Sequence, residues 1–572
     1  MKNHNLSLLT YVKAGLLLLS VLTLYAGSLH APLDFDDLDF FENPEALLEF
    51  GHTYFSFDTR WLSYATFGWT LNWFGLDIFW LRLGNVLMHA ANSIALFFLL
   101  RRLFQATLNH DDENAPALSA LPLSGRIGTG LPVDGQSTPL PLAWLAFFGA
   151  LIFALHPVAS YGVAYLVERS ILMATLFTLL MLFAYLEGIL RGGRLWLLLA
   201  VVCYFAAVHS KEHSIAAPSM ALALTFLIRK PSMALFRQIA PYFILTALIA
   251  ATVLLNVKGV LGHAYEPNAK GMLGLAAKNQ ELMLPNVYLL SIITQSFLFF
   301  KYLWLWLLPN PAWMSVDMRE PFAMSFLSWP HTLGLIAFLI YPCIAVWLLF
   351  KRGSAGLLGF ALLFPWILFL TELSTVRIQE PFVLYRSYLW MPGLFAALPV
   401  TVGYRRKGGS VITAEWFASK RTLIFLGVAC LSLIPLTLNR LNTFSTPLLL
   451  WDDAEKLVRN KQGVLGAERI YYNRGTLLGQ LNRYEEAIAD FDKVIAIFPR
   501  HELAYGNRAT ANYFLGKYEA ALYDYNNAIA LNANNANSYY GRALTYRALG
   551  NFAAAQNDFR ESCKLGVCPK DE

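Results

Sequence analysis

Residues 16–37 read LLLLSVLTLYAGSLHAPLDFDD, an apolar run that ends in an acidic loop. The loop carries Asp34, Asp36 and Asp37, and Asn43-Pro44 follows shortly downstream. Carboxylates at the mouth of a hydrophobic segment cost free energy unless the protein uses them. No clear small-x-small cleavage site precedes the acidic residues, so we expect an uncleaved first membrane span. The stretch predicts a membrane protein with chemistry at the exit of that span.

The composition also predicts a polytopic membrane protein. Of 572 residues, 56% are hydrophobic, 15% aromatic and only 14% charged, with a mean hydropathy of +0.46. A soluble protein would carry about 25% charged residues. The formal charge of +6 does not indicate a nucleic-acid partner, because Lys and Arg lie in small clusters between apolar runs. Such clusters are typical of cytoplasmic anchors.

Twelve apolar runs approach the length of about 20 residues that a helical span needs. They begin near residues 11, 78, 142, 170, 195, 213, 239, 287, 331, 353, 388 and 421. Placing the basic clusters in the cytoplasm puts the N-terminus inside and the acidic loop outside. The basic clusters at Arg237 and Lys351 are both placed in the cytoplasm, so the chain between them must cross the membrane an even number of times. Three apolar runs lie in that stretch. The run at 287–308 is the most polar, so we expect it to lie along or dip into the outer face. Eleven spans remain, which put the C-terminus outside.

We therefore expect three parts: a transmembrane domain at 1–440, a connecting helix at 441–470 and a repeat region at 471–572. The first part would hold an outer loop at about 30–77 and a re-entrant or interfacial segment at about 257–330. A flexible cytoplasmic loop would lie at about 103–140, because that stretch is rich in Pro, Gly and Ser.

The C-terminal region repeats with a period of 34 residues. Asn473-Arg474-Gly475 recurs as Asn507-Arg508-Ala509 and as Gly541-Arg542-Ala543. This is the tetratricopeptide period, and it predicts three repeats in an α-solenoid, preceded by a half-repeat around Trp451. Such arrays bind peptides or proteins on a concave face. The candidate acceptor-binding residues are Asn473, Arg474, Asn507, Arg508 and Arg542, each of which could equally be an ordinary helix-surface residue.

Polar residues from distant segments map to the outer face in this topology, and charges near a membrane face a cavity or a partner by default. The candidate supporting residues are Asp34, Arg60, Arg82, Asn85, His89, His156 and Glu212. Plainer alternatives are open for several of them. Asn85 and His89 share one helix face and could join helices, His156 could be a hydrogen-bonding residue, and Glu212 could pair with Lys211 at a turn.

Arg386 is the basic residue that we single out, because a guanidinium fork binds phosphate at two points. Its alternative role is interfacial snorkelling. Cys563 and Cys568 lie together beyond the last apolar run and could pair in an oxidising compartment.

Several stretches resemble the motifs of one enzyme family. Phe35-Asp36-Asp37 with Asn43-Pro44 is similar to its acidic loop, and Arg60 with residues 83–89 (LGNVLMH) to its YRPL … HLxNxLLH pattern. Residues 153–158 with Arg169 resemble its FALHPV … R stretch, and residues 210–212 with Pro218 resemble its SKE … P stretch. Residues 386–393 resemble its ERxLYLPS stretch. The chain resembles the GT-C superfamily of glycosyltransferases, and most closely the transmembrane-and-tetratricopeptide O-mannosyltransferase family and its bacterial relatives. It departs from the family pattern at Arg82, Tyr161, Ile171 and Tyr385.

The resemblance implies an all-α fold, a GT-C-type helical bundle followed by the solenoid, in a bacterial inner membrane. It also implies that a carboxylate of the first loop acts as general base on an acceptor hydroxyl, which attacks the anomeric carbon with inversion while a polyprenyl phosphate leaves. We assign Asp36 as the base and Asp37 as an orienting residue, and the opposite assignment stays open. Both are also candidate ligands for a divalent cation, Mg²⁺ or Mn²⁺. The candidates for the donor phosphate are Arg386, Lys211 and Arg169, in falling order.

Three functions remain open at this point. The chain could transfer a sugar from a polyprenyl-phosphate donor to a protein hydroxyl in the periplasm, with the repeats recruiting the acceptor or a partner. It could glycosylate a lipid or a polysaccharide with the same fold. It could instead be a non-enzymatic membrane scaffold that presents the repeats, although a plain anchor needs only one span.

Overall fold

The computed structural model describes residues 2–33, 35–53, 55–108, 140–264, 286–402, 420–461 and 464–568. Most of the predicted cytoplasmic loop at 103–140, and part of the segment predicted at 257–330, lie outside these ranges. Within them the fold is all-α, and the only extended pairing is an isolated antiparallel bridge between Met318 and Phe382.

The part of the chain before the repeats forms a bundle of apolar helices with short amphipathic helices at one end. Its α-helices are α1 Lys2–Tyr25, α2 Asp36–Glu42, α3 Pro44–His52, α4 Trp61–Phe74, α5 Ile78–Leu108, α6 Leu140–Leu155, α7 Ala159–Ala164, α8 Arg169–Arg191, α9 Arg194–Ser210, α10 Ala217–Ile228, α11 Met233–Val257, α12 Val287–Leu307, α13 His331–Phe350, α14 Gly353–Phe369, α15 Leu398–Thr401 and α16 Lys420–Thr443. Short 3-10 helices lie at Ala26–Ser28, Leu166–Glu168, Glu212–Ala216, Pro311–Trp313, Leu370–Ser374, Leu384–Tyr388 and Met391–Ala397.

Eight of the described helices are long and apolar enough to cross a membrane: α1, α5, α8, α11, α12, α13, α14 and α16. Shorter apolar helices lie at Leu142–Leu155, Arg194–Ser210, Glu212–Ile228 and Met391–Thr401. Each of the twelve apolar runs in the sequence thus has a helix. Only 22% of the apolar window is buried in α11 and in α13, so both leave a broad apolar surface outside the protein core. Such surfaces are expected to face lipid.

Two of these segments bear on the predicted number of spans. Helix α12 is 21 residues long and could itself cross, so its predicted interfacial position and the count of eleven spans stay predictions. The run near 388 does not form one long helix among the described residues, because it breaks into 3-10 turns before α15. Gly393 lies so close to Phe364 that a Cβ there would be 2.0 Å from the ring, and Pro392 and Pro399 remove backbone donors from the run.

Basic residues from four of the predicted cytoplasmic clusters gather at one end of the bundle. The carboxylate of Glu187, near the end of α8, pairs with Arg102 and Arg191. At the same end, Arg229 donates to the carbonyl of Ile189 and Arg352 donates to that of Arg229. The acidic loop lies at the opposite end of α5 and α8, so the bundle separates the two kinds of charge along its axis.

Helices α2 and α3 are fixed on the acidic-loop end by close backbone packing. A Cβ on Gly68 of α4 would lie 2.3 Å from the carbonyl oxygen of Leu47, so α3 and α4 approach as only glycine allows. A cluster that includes Phe41, Phe67 and Leu166 fills the space beneath them. The segment that follows the first span is therefore a packed part of the fold.

The repeats follow a connecting helix, α17 Pro447–Val458. Three helix pairs succeed it: α18 Ala467–Gln480 with α19 Tyr484–Ile497, α20 Glu502–Phe514 with α21 Tyr518–Leu531, and α22 Ala536–Ala548 with α23 Phe552–Lys564. Trp451 and Ala454 of α17 belong to the hydrophobic core of the first repeat. Arg440 of α16 pairs with Asp453 at 2.8 Å and so joins the repeats to the bundle.

Candidate functional site

The acidic loop is held against the start of α8. Asp34 lies outside the described residues, and α2 begins at Asp36, whose side chain is not among those described. Asp37 is buried, and its two carboxylate oxygens accept the backbone N–H groups of Leu166 and Val167 at 3.0 and 2.9 Å. These donors belong to the first turn of a 3-10 helix, where unpaired N–H groups favour an anion. Asp37 therefore anchors the loop and fixes where Asp36 begins its helix.

Phe35 places the same loop between the bundle and the repeats. Its ring centroid lies 5.6 Å from that of Tyr165 and 5.4 Å from that of Trp451 in α17. The guanidinium of Arg469 in α18 lies 4.6 Å from the centre of the ring, within the range of a cation–π contact. Phe35 has a φ of 59°, which is uncommon for a residue with a side chain. The repeats thus help to define the backbone beside Asp36.

Two ion pairs join the residues that directly precede α4 and α8 to the two residues that follow α9. Arg60 donates from Nε and Nη2 to the carboxylate of Glu212 at 3.0 and 2.5 Å. Lys211 is buried and donates to the carboxylate of Glu168 at 2.6 Å. Glu168 directly follows Val167, whose backbone N–H donates to Asp37. Burial lowers the pKa of Lys211, while Glu168 opposes that shift. The predicted pair Lys211 and Glu212 is therefore split, since each residue pairs with a distant partner.

Glu372 extends these pairs to the segment that carries Arg386. Its carboxylate is 3.2 Å from Nη1 of Arg386, 3.3 Å from Nε of Arg377 and 3.1 Å from Nε2 of His213. His213 also approaches Glu212 at 3.6 Å. Glu372 is almost fully buried, so three cationic or dipolar partners compensate a charge that would otherwise be costly.

Glu380 completes the series by joining Arg386 to the repeats. Its Oε2 is 3.4 Å from Nη2 of Arg386, and its Oε1 is 3.0 Å from Nη1 of Arg469. Burial raises the pKa of Glu380, but Arg386 and Arg469 outweigh that effect and hold it below its usual range. We call the connected set the junction network: Arg60, Glu168, Lys211, Glu212, His213, Glu372, Arg377, Glu380, Arg386 and Arg469.

Aromatic rings link the junction network to the acidic loop. Tyr385 lies 5.7 Å from Tyr165 between ring centroids, and Nζ of Lys211 lies 5.3 Å from the Tyr385 ring. A narrow cleft beside these rings is lined by Phe35, Val316, Asp317, Met318, Glu380, Phe382, Val383 and Tyr385. Asp37, Lys211 and Arg386, three of the predicted site residues, therefore meet at one end of the bundle.

Other predicted residues brace the helices around this region. Arg169 donates to Asn85 and to the carbonyl of Leu81 at 2.9 and 2.7 Å, and its guanidinium lies over Phe67. Arg82 donates to the carbonyls of Ala31, Pro32 and Ala164. Both arginines are thus engaged within the protein, and the contact of Arg169 with a phosphate stays a prediction.

The two predicted histidines are fully engaged. His89 contacts the hydroxyl of Tyr388 at 2.6 Å and the carbonyl of Ala154 at 3.1 Å. His156 contacts the carbonyl of Trp306, and its Nδ1 accepts the N–H of Val158. These contacts match the plainer alternatives, a helix-joining role for His89 and a hydrogen-bonding role for His156, and a place in a cavity stays a prediction for both.

Asp36 and Asp37 are the predicted ligands of a divalent cation. Both oxygens of Asp37 already accept backbone N–H groups. Across the described ranges, no cluster of three or more His, Cys, Asp or Glu side chains has the arrangement of a metal site. The side chain of Asp36, the other predicted ligand, is not among those described, so cation binding at the acidic loop stays a prediction.

The repeat arginines form a regular ladder. Arg474, Arg508 and Arg542 each pair through two nitrogens with the aspartate sixteen residues later, at distances of 2.6 to 2.9 Å. Asn507 donates to Tyr472 and Thr476 of the preceding repeat, while Asn473 is partly buried on α18. The arginines therefore brace the array, and their contact with an acceptor stays a prediction.

Sequence reasoning missed Glu372, His213, Glu380 and Arg469. Glu372 carried a signal, since a lone carboxylate within an apolar run marks a site by default. His213 follows Glu212 directly in the stretch that resembles the SKE motif. Glu380 and Arg469 carried no local signal, because their importance arises from a contact between segments 89 residues apart.

Comparisons with known proteins identify the repeats. Tetratricopeptide repeat families match residues 468–501 and 536–565, and a TPR repeat family matches residues 511–550. The solved structure entitled "First TPR of Spaghetti (RPAP3) bound to HSP90 peptide SRMEEVD" is 27% identical, with a TM-score of 0.17, over 17% of this chain and 79% of that one. No curated protein matches the chain. The C-terminal region is thus a tetratricopeptide array, as the 34-residue period predicts.

Proposed function

We propose that the protein is a membrane glycosyltransferase that moves a sugar from a polyprenyl-phosphate donor to a hydroxyl acceptor. One observation carries the proposal: an acidic loop, buried cations and a protein-binding array meet at one end of an apolar helical bundle. Asp37 and Lys211 lie on either side of the Val167-Glu168 dipeptide, and Glu380 joins Arg386 to the first repeat. A lipid-linked donor and a protein acceptor would each find matching chemistry there.

In the proposed reaction, Asp36 takes the proton of the acceptor hydroxyl. Asp37 is less suited to that task, because its oxygens accept two backbone N–H bonds that stabilise the ionised carboxylate. The deprotonating hydroxyl attacks the anomeric carbon as the bond from that carbon to the phosphate oxygen breaks. The configuration inverts, the phosphate leaves with the bonding electron pair, and the proton remains on the carboxylate.

Cations must stabilise the phosphate as its charge grows. Arg386 is the best candidate, because a guanidinium binds a phosphate through two nitrogens. Its contacts with Glu372 and Glu380 measure 3.2 to 3.4 Å, longer than the roughly 2.7–2.9 Å of a strong charge-assisted bond. Lys211 adds a second buried positive charge beside Tyr385.

The repeats would bring an acceptor protein to the acidic loop. Trp451 and Arg469 contact Phe35, one residue before Asp36. A protein bound on the array would therefore lie near the carboxylate that activates its hydroxyl. This proximity favours a protein acceptor over a lipid or polysaccharide acceptor.

The first experiment compares single variants in the native host. Asp36→Asn should abolish the sugar modification of outer-compartment glycoproteins, read by mass spectrometry of intact glycopeptides. Asp58→Asn is the matched control, because Asp58 is an exposed carboxylate in the same predicted outer loop. Membrane levels of each variant are measured in parallel.

The outcomes separate the remaining functions. Loss of a lipid-linked or polysaccharide product with unchanged glycoproteins would move the acceptor to that class. Unchanged glycoproteins, lipids and polysaccharides in the Asp36→Asn strain, with the variant present at normal levels, would overturn the enzyme proposal and leave the membrane scaffold.

A further inference from the structure

Glu380 lies between two arginines that come from different parts of the molecule. Arg386 belongs to the membrane bundle, and Arg469 belongs to the first repeat helix. Each oxygen of the carboxylate faces one guanidinium, at 3.4 Å for Arg386 and 3.0 Å for Arg469. The carboxylate is therefore shared, and the closer partner is the arginine of the repeats.

Arg469 is fixed by more than this ion pair. Its guanidinium also lies over the ring of Phe35 at 4.6 Å, so it contacts the acidic loop and Glu380 together. Its position follows α18, because it is the third residue of that helix. A displacement of the first repeat would move both contacts at once.

Arg386 competes with Arg469 for the carboxylate of Glu380. If Arg469 were absent, Glu380 would lose its closer ion-pair partner and keep the ion pair with Arg386, and that pairing would tighten. A tighter pair would leave Arg386 less able to exchange its carboxylate partner for a phosphate, because the nitrogen that donates to Glu380 must release that carboxylate before it donates to a phosphate.

We propose that Arg469 is a positioning residue that draws Glu380 away from Arg386 and so keeps Arg386 available to the donor phosphate. This inference rests on the proposed function, and it makes the repeats part of the donor site as well as of acceptor recruitment. By linkage, any protein that shifts α18 when it binds the array changes the affinity for the donor, and the donor changes the affinity for that protein equally.

The test uses the full-length protein in lipid nanodiscs, with undecaprenyl phosphate as the probe. Arg469→Gln should weaken binding about three- to tenfold, the range expected for a partly buried ion pair. Glu380→Gln should bind at least as tightly as the unchanged protein, and adding it to Arg469→Gln should restore the lost affinity. Arg483→Gln is the control, because Arg483 is an exposed arginine of the same repeat that pairs only locally with Glu486.

The restoration separates positioning from folding. If Arg469 served only to hold the repeats in place, Glu380→Gln would remove a second contact and weaken binding further. A double variant that binds no better than Arg469→Gln would therefore overturn the proposal. Arg469→Lys adds a second check, because it retains a charge for Glu380 and should keep most of the affinity.

A thermal-unfolding cycle distinguishes this proposal from the proposed function. Removing both Arg386 and Arg469 leaves Glu380 without either partner, so the double variant should lose more stability than the two single losses added together. Additive losses would overturn the competition. If the losses of stability are non-additive but the protein binds no undecaprenyl phosphate, the donor assignment is overturned. The competition of Arg386 and Arg469 for Glu380 would then still hold.

Discussion

The two neighbouring aspartates of the acidic loop differ in what surrounds them. Asp37 is buried, with two backbone N–H donors aimed at its carboxylate. A carboxylate in that position orients a loop, and its loss leaves donors without partners. Asp36 opens α2 one residue earlier, next to the Phe35 that the repeats contact. The two residues should therefore respond differently to the same substitution.

Asp37→Asn should lower both stability and activity. The amide keeps one acceptor oxygen but turns an NH₂ group toward a backbone N–H, which leaves a buried donor unsatisfied at a cost of about 1–3 kcal/mol. The midpoint of thermal unfolding in detergent should fall, whereas Asp36→Asn should keep the midpoint of the unchanged protein while transfer is lost. If Asp37→Asn keeps its stability and loses transfer, Asp37 is the base.

The local residue patterns of the sequence predict some members of the junction network and miss others. Asp37, Lys211, Arg386, Arg60 and Glu212 stand out because ionisable residues beside apolar runs are uncommon. The pairing itself was not predictable, since pairs such as Arg60–Glu212 join residues 152 positions apart. The positions of the apolar helices were predictable because length and composition define an apolar span. The repeats were predictable because their period is fixed. The broken helix after 388 was not, since it depends on the contact between Gly393 and Phe364.

At the scale of helices, the arginine ladder explains how the array holds together. Arg508 pairs with Asp524 in its own repeat and with Asp492 in the preceding one. Arg474 pairs with Asp490 and also reaches Glu455 of α17. The connecting helix therefore takes the place of a preceding repeat. The recurrence of Asp490, Asp524 and Asp558 at the 34-residue period was a sequence signal for this bracing role.

Arg508→Gln should loosen the array around the second repeat. The change removes a two-point contact and leaves the buried Asp524 with fewer donors, so we expect a loss of about 1–3 kcal/mol. Hydrogen exchange followed by mass spectrometry should show faster exchange in α20 and α21. Arg508→Lys should recover only part of the protection, because an ammonium cannot form the planar fork.

The exposed pair of Arg483 and Glu486 is the control, since such pairs contribute about 0.2–1 kcal/mol. If hydrogen exchange in α20 and α21 is the same in Arg508→Gln as in Arg483→Gln, Arg508 does not brace the array. If acceptor recruitment were lost at the same time, the predicted contact between Arg508 and an acceptor would be the better explanation.

For the whole molecule, the charge pattern and the repeat contacts define two chemically different ends. Basic residues around Glu187 gather at one end, and the acidic loop with the repeats lies at the other. The candidate site and the array must share a compartment, because Arg469 contacts both Phe35 and Glu380. The positive-inside rule would place the basic end in the cytoplasm. Cys563 at the end of the last repeat helix and Cys568 just beyond it form a disulfide, and an oxidising compartment at the other end stays a prediction.

This arrangement predicts where the terminal cysteines can be labelled. In intact cells, a membrane-impermeant maleimide should modify Cys563 and Cys568 only after an impermeant reductant has opened the disulfide. The described cysteines outside that pair are the matched background: Cys203, Cys343 and Cys430 lie in apolar helices, where a charged reagent does not reach them. Replacing Cys563 and Cys568 with Ser should remove the signal. Labelling that requires permeabilised cells would place the repeats in the cytoplasm, and the candidate site would move with them, because the two are joined at Arg469.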